Sequence, residues 1–76
     1  MQRDYDLAVV EYTRALQEDP GDRDAQLALD RAKMRAAQAH YAEGRRLSRL
    51  SQWEAALAEY QIAHDLNPTV GDVARE

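Results

Sequence analysis

Apolar residues recur every three or four positions over most of the chain, the spacing that puts them on one side of an α-helix. Tyr5, Ala8, Val9, Tyr12, Ala15 and Leu16 form the first such face and predict a helix from about residue 5 to about residue 18, capped by Asp4. Asp19-Pro20-Gly21 ends it, because proline disfavours helical geometry in the residue before it and glycine turns the chain. Asp22 or Asp24 caps a second helix. No glycine or proline then occurs until Gly44, and the helical pattern continues through it to Leu50. Leu29, Ala32, Ala36, Ala39, Glu43, Leu47 and Leu50 make one stripe; Leu27, Met34 and Tyr41, spaced by sevens, make another. A helix over residues 23–50 would be about 42 Å long at about 1.5 Å per residue, which is long for a globular domain.

Ser51-Gln52-Trp53-Glu54 has the form of a capping box, in which the serine accepts from an early amide and the glutamate reaches back. It predicts a third helix running to about Leu66, with Trp53, Ala56, Leu57, Tyr60, Ala63 and Leu66 inward, ended by Asn67-Pro68. The tail, Thr69 to Glu76, contains Gly71 and has room to begin a further helix in a longer parent chain. The class expected is therefore all-α: one long central helix flanked by two shorter antiparallel ones.

The first and third helices repeat one another. Tyr5, Ala8, Tyr12, Ala15 and Pro20 recur as Trp53, Ala56, Tyr60, Ala63 and Pro68, each shifted by 48 residues. Residues 37–70 resemble one complete tetratricopeptide repeat. Its first helix is matched by Ala37-Gln38-Ala39-His40-Tyr41-Ala42-Glu43-Gly44, where the glycine lets the partner helix approach; Leu47 falls where the family has a large aromatic. Trp53, Ala56, Tyr60, Ala63 and Pro68 match the second helix and its stop. Residues 3–22 resemble the second helix of a preceding repeat whose first helix is missing. Departures are His40 in place of tryptophan or leucine, and Glu43 and His64 in place of leucine.

The family period is about 34 residues, and the spacing here exceeds it by fourteen. The excess falls in the second helix, at residues 23–36, without a breaker. Fourteen residues advance about 1400°, some 40° short of four turns, so the two flanking helices are expected on nearly the same side of a long spine. A single domain over 1–76 is the reading: half repeat, extension, complete repeat, and a tail at 71–76. An alanine-rich extension between two such motifs also resembles the amino-terminal region of bacterial secretin-family proteins, the outer-membrane channel subunits of type II secretion and type IV pilus systems. That resemblance implies an assembly element at the bacterial periplasm or outer membrane; a cytoplasmic location is the alternative.

Composition narrows the role. Hydrophobic residues make up 45% of the 76, but alanine supplies much of that and only five aromatics are present, so each helix contact buries little area. A net charge of −4 argues against non-specific nucleic-acid binding. No apolar run approaches the roughly 20 residues that span a bilayer, so no direct membrane insertion by this segment is expected. With no cysteine, no disulfide is available and the redox compartment is undetermined. Nine arginines to one lysine and abundant alanine suggest a GC-rich bacterial source.

Little chemistry is on offer. His40 and Glu43 lie one helical turn apart and His64 is on the third helix; the choice is between a metal or acid–base pair and polar substitutions at the rim of a thin core. Zinc needs three or four converging ligands, and no nucleophile–base–orienter set is evident. No catalytic residue, metal or cofactor is expected, and the chain is not read as an enzyme. The partner expected is a protein or peptide. Under the repeat resemblance, Gln38, Tyr41, Arg45, Ser48 and Arg49 lie on the concave face where family members bind peptides. The asparagine and lysine set that grips a peptide carboxylate is absent, its positions being held by Tyr41 and Arg45. Arg45, Arg46 and Arg49, with Arg31 and Arg35, read either as a groove for acidic ligands or as a solvated face balanced by Glu54, Glu59 and other acids. Val10, Leu27, Met34 and Tyr41 are expected to be left exposed by three helices, to be covered by a missing upstream helix or by a second copy in a homodimer.

Overall fold

A computed structural model describes residues 2–68, with side chains from Asp4 onward; the tail expected to begin another helix lies outside the described residues. The chain folds as α1 (Gln2–Glu18), α2 (Arg23–Arg49) and α3 (Trp53–Leu66). The long central helix is unbroken, including through Met34–Ala39 where the extension joins the repeat-like segment. Its 27 residues correspond to about 40 Å, close to the 44 Å long axis of the molecule. The radius of gyration is 13.6 Å, against about 11 Å for a compact domain of this length, so the shape is that of a spine with two attachments.

Each end of the spine is fixed by local chemistry. Asp22 caps α2, its Oδ1 accepting from the Ala25 amide at 3.1 Å. The preceding turn is closed by the Asp22 amide donating to the Asp19 carbonyl at 3.1 Å, with Pro20 and Gly21 at the corner and the Gly21 amide on Asp19 Oδ1. At the other end the Gln52 amide donates to the Leu47 carbonyl at 2.9 Å and the Ser51 amide to the Ser48 carbonyl at 3.0 Å. That pair of bonds is the Schellman closure, and it puts Ser51 at φ 59°, in the left-handed region. Arg46 and Arg49 lie in the last turn, where cations meet the negative end of the helix dipole.

Two expectations about boundaries are corrected by this geometry. Asp4 sits inside the first turn of α1 rather than capping it. The capping box does not form: Ser51 is consumed in ending α2, and Gln52 becomes the first residue of α3's flank with no side-chain cap bond. A residue held in the left-handed region as the close of one helix is not in the extended geometry from which a serine caps the next.

Both flanking helices pack on α2, and among the described residues their own backbones stay more than 8 Å apart at every Cα pair. The turns of four and three residues make both hairpins antiparallel. The core is thin and made largely of alanine: Ala25, Leu29, Ala32, Ala36, Ala37, Leu47, Ala56 and Ala63. Ala36 and Ala37, neighbours turned about 100° apart on α2, are both at 0% exposure. The 14 residues of α3 reach back about 21 Å along α2, and the end of α3 at Leu66 and Asn67 stands beside Asp30, Lys33 and Met34.

Candidate functional site

Where the two hairpins meet sits His40. It is 6% exposed. Its Nε2 lies 3.0 and 3.1 Å from the two carboxylate oxygens of Asp6 on α1, and its Nδ1 lies 2.6 Å from Oε1 of Glu59 on α3. One imidazole thus joins all three helices. A carboxylate ion only accepts hydrogen bonds, so a ring that faces a carboxylate at each nitrogen satisfies both by donating twice, as an imidazolium does. Burial works against that charge. The hydrogen bonds that the ring donates to Glu59 and Asp6, together with the negative charges of these two, outweigh it and hold the His40 pKa above its ordinary value.

The pairing differs from the one suggested by proximity in sequence. Glu43, a turn from His40, is engaged by Arg46 instead: Nε at 2.8 Å and Nη2 at 2.5 Å, a fork on both carboxylate oxygens. That hydrogen bond lowers the Glu43 pKa and raises that of Arg46. His64 is exposed on α3. Among the described residues no group of three or more His, Asp or Glu side chains is arranged to hold a metal ion. The partners of His40, Asp6 thirty-four residues before it and Glu59 nineteen after, could be read from the sequence only once both hairpin registers were known.

The residues expected on a partner-binding face lie along one strip of α2. Gln38, Arg45 and Arg49 are exposed, while Tyr41 and Ser48 are half-buried. Tyr41 packs on the Ala37–Ala63 contact and sets its ring 5.2 Å from that of Tyr60, so it serves the core as well as the strip. Among the described residues Arg45 and Arg49 form no ion pair; Glu59, one of the acids expected to balance them, contacts His40.

The repeat-packing residues divide. Gly44, Leu47, Ala56 and Ala63 are buried; Tyr5, Ala8, Ala15 and Tyr60 are half-buried. Pro20 and Pro68 are exposed at the ends of α1 and α3, where they act as stops. Three residues expected inward are not. Trp53 is 63% exposed, Leu57 67% and Tyr12 38%. The reason is the number of layers: α3 is apolar around much of its circumference but among the described residues packs its backbone against α2 alone. Leu50 and Ile62 add to the exposed apolar surface of this end, and Val10, Leu27 and Met34 are exposed as expected; Tyr41, expected exposed with them, is instead half-buried because Ala37, Ala63 and Tyr60 pack against it.

No described helix is long and apolar enough to cross a membrane. The chain matches no protein-family model, and neither the curated proteins nor the solved structures provide a significant match to it.

Proposed function

We propose that this chain is a non-catalytic protein–protein interaction module, a tetratricopeptide-like piece of a larger bacterial helical-repeat protein. The observation that carries the reading is the outer side of α3, where Trp53 and Leu57 stand one turn apart and are more exposed than not. Large apolar side chains at adjacent turns of a helix are costly to leave in water and gain about 1.5–3 kcal/mol each when fully covered. The exposed Arg45 and Arg49 of the α2 strip supply polar selection beside this surface. A long spine and thin alanine contacts fit a scaffold better than a catalyst, and the one convergence of titratable groups described, His40 with Asp6 and Glu59, is spent joining helices at a buried point.

The test is quantitative affinity capture with the wild-type chain and with a Trp53→Ser/Leu57→Ser variant whose helicity is verified by circular dichroism. A defined partner retained by the wild type and lost by the folded variant is expected. Equal capture by both proteins would remove α3 from the interaction.

A further inference from the structure

We propose that the back of α2 is the docking face for an acidic helix of a partner protein, one that brings carboxylates to two points about 21 Å apart. This rests on the reading of the chain as a protein-binding module and adds the partner's chemistry to it. Arg31 and Arg35 form a pair one turn apart, and Arg45 and Arg49 repeat it fourteen residues on. At about 100° per residue Arg31 and Arg49 share one direction, with Arg35 and Arg45 about 40° to either side. Arg31 stands two residues past buried Leu29, and Arg49 two past buried Leu47. Two residues turn the helix by about 200°, so the sector lies opposite the buried stripe. All four arginines are exposed, and among the described residues none is in an ion pair.

The fold supplies no reason for the first pair. Like charges four residues apart destabilise a helix. None of the four arginines has an aspartate or glutamate three or four residues away on either side, although the chain holds 14 acids. Arg49 lies in the last turn of α2, where the helix dipole favours a cation. Arg31 and Arg35 are in mid-helix and gain nothing from the dipole. They also belong to the extension at 23–36, outside the repeat-like segment. A partner's carboxylate removes the repulsion within each pair, and the guanidinium fork matches it in shape.

The pattern of charge favours a protein over a nucleic acid. From Arg35 to Arg45, about 15 Å, the exposed positions of this face are Gln38 and Ala42, which carry no charge. A nucleic-acid backbone is charged throughout its length and would cross that gap unmatched. A helix with two carboxylate pairs four turns apart meets cations at both ends and neutral residues between. Exposed Leu27 and Met34, about 40° and 60° aside from Arg31, add apolar contact along one edge. A polyanion wider than the spine also meets α3, which carries Glu54, Glu59 and Asp65 with no lysine or arginine.

Fluorescence anisotropy at low ionic strength tests this on the 76-residue chain with three labelled probes. The first is an alanine-rich helical peptide with two glutamate pairs fourteen residues apart. The second has the same composition with the pairs seven residues apart, and the third is a single-stranded oligonucleotide of the same net charge. The first peptide is expected to bind most tightly, and Arg31→Gln/Arg35→Gln to weaken it by about fivefold to tenfold. Relief of repulsion should leave the thermal midpoint of that variant level or raised, which separates lost binding from lost folding. Equal binding of the two peptides, tighter binding of the oligonucleotide, or unchanged affinity in the variant would overturn the proposal. A lowered midpoint would overturn it too, by giving the pair a role in the fold. Failure here beside intact partner capture through Trp53 and Leu57 would strike the acidic helix alone and leave the binding-module reading standing.

Discussion

Tyr60 lays its ring on Gly44 so closely that a β-carbon there would stand 2.7 Å from Cε1 and 2.8 Å from Cδ1. Gly44 is mid-helix, where glycine costs about 0.5–1 kcal/mol relative to alanine. The glycine is therefore retained against helix propensity by the contact across the hairpin. Gly44→Ala is expected to destabilise the chain by about 1 kcal/mol, because overpacking costs roughly 1–3 kcal/mol and the propensity gain offsets only part of it. In a Tyr60→Ala background the same change should turn stabilising. Urea denaturation of the four proteins reads the sign inversion; a Gly44→Ala that stabilises both backgrounds would show that the ring moves aside freely.

Ser51 offers the opposite sign. It holds the left-handed position of the closure at the end of α2, a conformation that costs a non-glycine residue about 1–2 kcal/mol. Ser51→Gly is expected to raise stability by about 0.5–1 kcal/mol after the extra chain entropy of glycine is subtracted. Glu54→Ala should change stability by less than about 0.5 kcal/mol, since no capping box depends on it. At the other end of α2, Asp22→Ala should cost about 1 kcal/mol through loss of the Ala25 amide bond. Thermal melts at one pH rank all three.

The carboxylates around His40 are not equivalent. Glu59→Gln removes a close contact at a mostly covered site and is expected to cost about 2 kcal/mol at pH 6, within the range for hydrogen bonds to charged groups. Asp6→Asn, nearly half exposed, should cost less than about 1 kcal/mol, as solvent screens it. Chemical denaturation gives both values. Either variant should also reduce the loss of global stability expected of the wild type as pH rises above about 6.5, because His40 then holds its proton less tightly in the folded state.

Trp53 is expected to report water, not core. As the chain's one tryptophan and 63% exposed, it should fluoresce near the wavelength of the unfolded chain and be quenched freely by iodide. Trp53→Ser and Leu57→Ser should each alter stability by less than about 0.5 kcal/mol. A blue shift on raising the protein concentration, with a matching rise in sedimentation coefficient, would show that a second copy covers this face.

The long helix was legible because it needs only local information: a capping aspartate, an unbroken period and the absence of any breaker but one glycine. What was not legible depended on neighbours. Periodicity marks Trp53, Leu57 and Tyr12 as apolar positions on helices, but whether a second layer stands opposite them is a property of the whole assembly. Ser51 carried two local signals at once, closing one helix and opening the next, and the closure won because its two backbone hydrogen bonds fix the geometry first. In the sequence His40 is a polar departure one turn from Glu43, read either as a pair with it or as a rim substitution. Its true partners lie on two other helices, and the nearer carboxylate was already held by Arg46.

A spine shared by two hairpins whose outer helices keep their backbones apart among the described residues confines the described helix–helix backbone contacts to neighbours across short turns. Such a chain has little loop entropy to overcome and should fold fast, in microseconds to milliseconds. The same locality means that either hairpin can form first, and the half already folded presents the other with a finished stretch of helix to dock on. Cooperation between the two ends then passes through the continuous hydrogen-bond ladder of α2 and through one imidazole. A proline placed on the spine near Ala36 would sever the ladder and split a single melting transition into two.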